Sequence, residues 1–290
     1  MKILITGSNG FIGTNLSNYL SFKNLDILTP KREELDLLNK DLLNTYLKKY
    51  NPQIIFHLAS EGISRFESNN SEINKNNIIM IKNIVSLINE NCKLIVAGSM
   101  AEYGKSGIFK ETDICIPKTS YAKSKLEITK FCLNKDNLNK DIRICRIFGA
   151  YGFGELNTRL FPTLYKSFRY KKIANLSDGN QERDFIHVMD VCNCLMRISE
   201  LPRDSCMKIL NIGTGIPLSI KYVVEKYVKS FGIDFDLIKF NSNSRSPGDA
   251  DLLCADASNL YTSINYVPPQ RLKENENIKM LFEKKFYKNL

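Results

Sequence analysis

Long apolar runs are missing from this 290-residue chain, histidine is nearly so, and neither an internal repeat nor a low-complexity linker interrupts it. Without a run of roughly 20 apolar residues there is no candidate membrane span. Met1-Lys2 leads straight into Ile3-Leu4-Ile5-Thr6-Gly7, a strand and a turn. A secretory leader would need a longer apolar run and a small-residue cleavage site, so a cytoplasmic protein is expected. The only histidines are His57 and His187, and neither lies beside the one close cysteine pair, Cys192 and Cys194. That lacks the ligand spacing of a zinc site, and no metal is expected. The eight cysteines of such a chain read as reduced packing residues. Clustering is also absent from the formal charge of +10: Lys48-Lys49 and Lys171-Lys172 are short runs with no interleaved aromatics. The expectation is a solvated basic surface with no nucleic-acid partner, some of whose charge suits an anionic small substrate.

What is present is alternation. Apolar residues make up 43% of the chain and charged residues 25%, the balance of a soluble globular protein. Ile3 to Thr6, Leu25 to Leu28, Ile54 to Leu58, Leu94 to Ala97 and Ile142 to Arg146 read as strands. Between them, stretches such as Leu37 to Tyr50 and Asn77 to Asn89 carry apolar residues at helical spacing and are long enough for crossovers. The pattern predicts an α/β fold, a doubly wound parallel sheet of the Rossmann kind, over residues 1–148. Beyond Gly149 the rhythm breaks into glycine- and proline-punctuated stretches with one more strand-like run, Lys208 to Ile212. Residues 149–290 are therefore expected to form a smaller, mixed substrate-binding region, interleaved with the first through a returning segment near 183–215.

Thr6-Gly7-Ser8-Asn9-Gly10-Phe11-Ile12-Gly13 follows the first strand and opens the first helix, the place of a dinucleotide phosphate loop. Gly7 permits the tight turn, Gly10 admits the pyrophosphate to the backbone, and Gly13 lets the helix pack close. Asn9, Phe11 and Ile12 fall within the same contact. At the end of the second strand an acid would bind the ribose of NAD and a cation the extra phosphate of NADP. Thr29-Pro30-Lys31-Arg32 offers cations, Arg32 foremost and Lys31 next, so NADP is expected. Glu33 and Glu34 follow at once and keep NAD open.

Tyr121 and Lys125 stand four residues apart, on one face of a helix. Tyr19 with Lys23 and Tyr222 with Lys226 share that spacing, so the pair means little alone. Its company distinguishes it: Gly98-Ser99-Met100-Ala101-Glu102-Tyr103-Gly104 follows the fourth strand, and ligands of a doubly wound sheet bind beyond the strands' carboxyl ends. A carbonyl accepting hydride needs a proton, and a tyrosine with a pKa near ~10 serves at neutral pH only if a cation stabilises its phenolate. Lys125 supplies that charge in this reading, and Ser99 hydrogen-bonds the reacting oxygen.

With those motifs the chain resembles the extended short-chain dehydrogenase/reductases of the nucleotide-sugar epimerase/dehydratase type. His57-Leu58-Ala59-Ser60, Arg146 with Tyr151-Gly152, Arg183-Asp184-Phe185-Ile186-His187-Val188 with Asp190, and Asn211-Ile212-Gly213-Thr214-Gly215 extend the likeness over most of the length. The resemblance implies that Asp36-Leu37 meet adenine, that Leu58 and Ala59, with Ser60 beside them, line the cofactor cleft, and that Asn77 lies near the phosphates. Tyr121 and Lys125 also contact the cofactor in such enzymes. The 183–190 segment is implied to be architectural. A nucleoside-diphosphate sugar as substrate, contacts to it from Ser99, Met100, Ala101 and Arg245, and a homodimer are implied too. Arg245 stands before Ser246-Pro247-Gly248-Asp249, one place further out than in relatives.

Two departures narrow the chemistry. The 4,6-dehydratases carry an acidic pair where this chain has Met100 and Ala101, so dehydration is not expected. GDP-fucose synthases, which the Arg32 to Leu38 stretch resembles, place an epimerising cysteine where Ala101 stands. The expectation is an NADPH-dependent reductase of a nucleotide-linked keto-sugar, a 4-keto-6-deoxy sugar, in surface-polysaccharide sugar biosynthesis. The alternatives are an NAD-dependent 4-epimerase and, from another class, a non-catalytic NADP-binding regulator, which would normally lack the tyrosine or lysine that this chain keeps.

Overall fold

Alternating burial decides the architecture. In the first strand Ile3 and Ile5 face one side and Leu4 the other, and all three are almost fully buried, which requires cover on both faces. The computed structural model describes residues 1–61, 71–205, 207–245 and 249–283. Six parallel strands form its main sheet, in the spatial order Asp26–Leu28, Lys2–Thr6, Ile54–His57, Lys93–Ser99, Asp141–Ile147, Ile209–Ile212.

One face packs Ile3, Ile5, Phe56 and Ile95 against helices Phe11–Phe22 and Val188–Glu200. Cys192 and Cys194 lie in this core, fully buried. The other face packs Leu4, Ile55, Leu94 and Ile144 against helices Lys40–Tyr50, Ser71–Leu87 and Ser120–Cys132. The doubly wound sheet expected from the sequence is thus the fold, with small differences at element ends. The second helix starts at Lys40, because the Asn39 side chain accepts from Leu42 N at 3.0 Å and caps it. The third starts at Ser71, six residues ahead of the apolar pattern, in a polar first turn that periodicity could not detect.

The expected run at Lys208 to Ile212 returns to the main sheet as Ile209–Ile212, paired with Asp141–Ile147. The region beyond Gly149 is more regular than its sequence suggests. A second, mixed sheet runs Pro217–Ser219, Glu182–His187, Leu252–Ala255, Gly107–Phe109, with Gly149–Tyr151 also paired to Glu182–His187. These strands are short, and Gly107–Phe109 comes from the first half of the chain, so no contiguous alternation announced them. Tyr151, Phe161, Phe185 and Tyr227 form the aromatic centre of a core there. Among the described residues no helix is long and apolar enough to cross a membrane.

Candidate active site

The glycine turn forms one end of a cleft along the carboxyl ends of the main strands. Gly7 adopts φ +70°, and a Cβ there would stand 2.6 Å from Ala59 N. A Cβ on Gly13 would meet the Gly7 carbonyl oxygen at 2.1 Å, so the helix touches its own turn only because both positions lack side chains. Gly10 begins helix Phe11–Phe22 without a side-chain cap, which leaves the first N–H groups and the positive end of the dipole for an anion. This cradle fits a dinucleotide pyrophosphate.

On one side of the turn a cavity of about 280 Å³ is walled by Asn9, Arg32, Asp36, Leu37, Leu58, Ala59, Ser60 and Glu61. Arg32 pairs with Glu61 at 2.6 Å, with 64% of the arginine side chain exposed. Lys31 is not in this wall; its backbone N donates to Glu34 Oε2 at 2.8 Å. Asn77 is buried and brackets the loop from behind. Its Oδ1 accepts from Glu61 N at 2.8 Å and its Nδ2 donates to Glu61 O at 3.0 Å, so it positions the wall without forming it. Glu61 has no signal in the sequence: it is an acid delivered to the second strand's end by the loop after the third.

On the other side a cavity of about 410 Å³ shares Gly7, Gly10, Leu58 and Ser60 with the first, and Phe11, Ile12, Ser99, Met100, Tyr121 and Lys125 line it. Thr119 caps helix Ser120–Cys132, its hydroxyl accepting from Ala122 N at 3.1 Å, which places Tyr121 in the first turn. Lys125 is 5% exposed and its Nζ donates to Ala97 O at 3.0 Å, 5.7 Å from the centre of the Tyr121 ring. Ser99 ends its strand and caps the turn that follows: its Oγ accepts from Ala101 N at 3.2 Å, leaving the hydroxyl hydrogen to donate elsewhere. The serine is therefore both a cap and a cleft residue, while Ala101 contributes its backbone and is not in the wall. Behind it, the buried Glu102 accepts from Ser99 N at 2.9 Å, Thr129 Oγ1 at 2.9 Å and Arg146 Nε at 3.0 Å, which fixes the serine to the tyrosine helix. His57 lies beneath, its Nδ1 2.8 Å from Thr6 Oγ1; burial, and then the charge of Lys125, lower its pKa to about 3.

The 183–190 segment divides. Asp184 is fully buried and accepts from Thr214 N at 2.8 Å, Gly215 N at 3.0 Å and Ala255 N at 3.2 Å; burial raises its pKa against those donors. Asp190 binds Tyr266 Oη at 2.7 Å and Arg271 at 2.6 Å. These are joints of the fold. Arg183, however, lines the larger of these two cavities while pairing with Asp249 at 2.5 Å. Arg245 is elsewhere: Asp178 holds its Nε at 2.7 Å and Nη2 at 2.6 Å, Asp251 its Nη1 at 2.5 Å, and it lines neither cavity. Ser246 to Gly248, which follow it in the sequence, lie outside the described residues. The unanticipated cation of the cleft is Arg159, exposed, at the start of helix Leu160–Tyr170. Beside it Glu155 also lines the cavity, its pKa raised by burial to about 8 against the opposing charge of Arg159.

Comparison with known proteins bears on the same elements. The family model described as NAD dependent epimerase/dehydratase family matches residues 3–213. The chain is 30% identical over 237 residues to the GDP-6-deoxy-D-talose 4-dehydrogenase of Aggregatibacter actinomycetemcomitans, covering 78% of each chain. Its fold resembles that of a UDP-glucuronic acid 4-epimerase from Bacillus cereus in complex with UDP-glucuronic acid and NAD, at a TM-score of 0.82 and 24% identity over 95% of this chain and 96% of that one. It also resembles RMD from Pseudomonas aeruginosa complexed with NADPH, at a TM-score of 0.79 and 19% identity over 95% and 94%.

Proposed function

The chain belongs to the NAD-dependent epimerase/dehydratase family, as an NAD(P)-dependent enzyme of the short-chain dehydrogenase/reductase type, and on that premise we propose that it reduces a nucleoside-diphosphate-linked 4-keto-6-deoxy sugar with NADPH. The observation that carries the reading is that Ser99, Tyr121 and Lys125 line one cavity that opens from the glycine turn. A bound nicotinamide supplies hydride exchange at the sugar carbon. Tyr121 gives its phenolic proton to the carbonyl oxygen, and the Lys125 ammonium stabilises the phenolate left behind. Ser99 donates its hydroxyl hydrogen to the same oxygen and holds the carbonyl in place. Buried His57 stays neutral at physiological pH, so it brings no second positive charge beside Lys125.

The relative named as a GDP-6-deoxy-D-talose 4-dehydrogenase supports chemistry at carbon 4 of a 6-deoxy sugar. For the diphosphate, the candidates are Arg159, at a helix start with no side-chain cap, and Arg183, the cavity-wall cations other than Lys125. Arg245, bound to two aspartates, is not free for that task.

NADP is favoured by Arg32 in the wall of the adenosine-side cavity. Glu61 pulls the other way: a carboxylate 2.6 Å from Arg32 opposes a ribose phosphate and suits free ribose hydroxyls. That one contact keeps an NAD-dependent 4-epimerase as the second reading. The test is turnover of GDP- and dTDP-linked 4-keto-6-deoxy sugars with each cofactor, alongside cofactor affinities. NADPH is expected to bind more tightly than NADH, with Arg32→Ala narrowing the gap and Glu61→Gln widening it. Equal affinities in the parent, with interconversion of 4-epimers and no net NADPH oxidation, would select the epimerase.

A further inference from the structure

Glu155 takes no part in the chemistry above, and its surroundings are unusual for a carboxyl group. It follows the turn Gly152-Phe153-Gly154 and precedes the exposed stretch that leads to Arg159. Its Oε2 is buried without a hydrogen-bond partner among the described residues, while the residue lines the same cavity as Ser99 and Tyr121. The charged and titratable groups around it are few. Arg159 attracts it from its own segment, and Tyr227 faces it from helix Ile220–Phe231, buried in the aromatic core. Arg183 from strand Glu182–His187, and Tyr121 and Lys125 from helix Ser120–Cys132, share the cavity wall. No ion pair within 4.0 Å is formed by Glu155 among the described residues.

A carboxylate with one oxygen shut away from water and from donors is expensive; protonation removes the charge and gives a residue of the cavity wall an O–H to donate. We propose that Glu155 is a sugar-recognition residue, whose carboxyl group donates a hydrogen bond to an uncharged hydroxyl or keto oxygen of the bound sugar. This rests on the nucleotide-sugar reading of the cleft. Burial raises the carboxyl's pKa to about 8, so the protonated donor predominates at neutral pH and is lost as pH rises through that value. An ionised Glu155 would meet the sugar with acceptors only.

Calorimetric titration of the full chain with GDP-mannose, UDP-glucose, dTDP-glucose and CDP-glucose, each beside its free diphosphate, tests the assignment. Whichever sugar nucleotide binds should hold its affinity up to neutral pH and lose it above pH 8, approaching tenfold per pH unit, relative to its diphosphate. Glu155→Gln, which keeps a donor, should retain the neutral-pH affinity and lose that decline. Glu155→Leu, with melting curves to check its fold, should lose up to about tenfold toward the sugar nucleotide and nothing toward the diphosphate. Unchanged sugar-nucleotide affinity in Glu155→Leu, or a decline that persists in Glu155→Gln, overturns the role of Glu155 and leaves the nucleotide-sugar reading standing. Failure of all four pairs to bind the parent overturns both.

Discussion

The two ends of the cleft are built on different principles. The cofactor end is made largely of backbone: a turn that exists because Gly7 and Gly13 lack side chains, and a helix start with no cap. Those features come from eight consecutive residues. The end proposed for the sugar is made of side chains from separate segments: Ser99 at the end of one strand, Tyr121 and Lys125 on a helix, Glu155 and Arg159 in the segment before another, Arg183 on a strand of the second sheet. A contiguous motif fixes one ligand chemistry for a whole family. A convergent set can change a residue at a time, so that end is where specificity can vary on an unchanged scaffold.

Substitutions should separate the two ends sharply. Tyr121→Phe keeps the helix and the lysine contact while removing the proton, and turnover should fall about 10³-fold or more with cofactor affinity unchanged; single-turnover kinetics beside a fluorescence titration would show it. Gly13→Ala acts at the other end. Its methyl group would collide with the Gly7 carbonyl, so cofactor binding should collapse and stability should drop by about 2 kcal/mol, read as a lower melting temperature. If this variant instead lost activity while binding cofactor normally, the division between the ends would be wrong.

A smaller effect is expected from the cations. Arg159→Ala should raise KM for the nucleotide-sugar by about tenfold, as expected for losing one charge-assisted contact, with little change in kcat. Arg245→Ala should leave both constants within about twofold, since its three nitrogens are already held by Asp178 and Asp251. The reverse ranking would return the diphosphate to Arg245.

A separate effect, on stability, is set by pH. His57 and His187 are buried with pKa values lowered by burial to about 3 and about 4, below the unfolded value. Between those values and about 6.5 the unfolded chain binds protons that the native state does not, so stability falls as pH drops below about 6.5. The slope approaches about 1.4 kcal/mol per pH unit for each imidazole. Melting temperatures from pH 7 to pH 5 should fall, and His57→Asn should flatten the fall.

Most of the main sheet was legible because its strands are buried on both faces and announce themselves as short apolar runs. The second sheet was not, since Gly107–Phe109, Gly149–Tyr151 and Pro217–Ser219 have three residues each and satisfy their pairing across long separations. Legibility of the site followed the same rule. The glycine loop, Ser99, Tyr121 and Lys125 could be named from spacing and position. Glu61 and Glu155 carry no local pattern that sets them apart from solvated surface acids, and Arg159 only a weak one, at the start of an uncapped helix.

The sequence by itself determined the parallel α/β framework, the glycine turn and the tyrosine and lysine on one helical face, because each depends on interactions within a few residues. Only the tertiary structure decided that Arg32 faces an acid, that Arg245 is paired with two aspartates, and that Glu155 lines the cleft with an oxygen unpartnered among the described residues. The physical reason is that charge and burial are properties of a place. A side chain acquires its place only when segments far apart in the chain close around it.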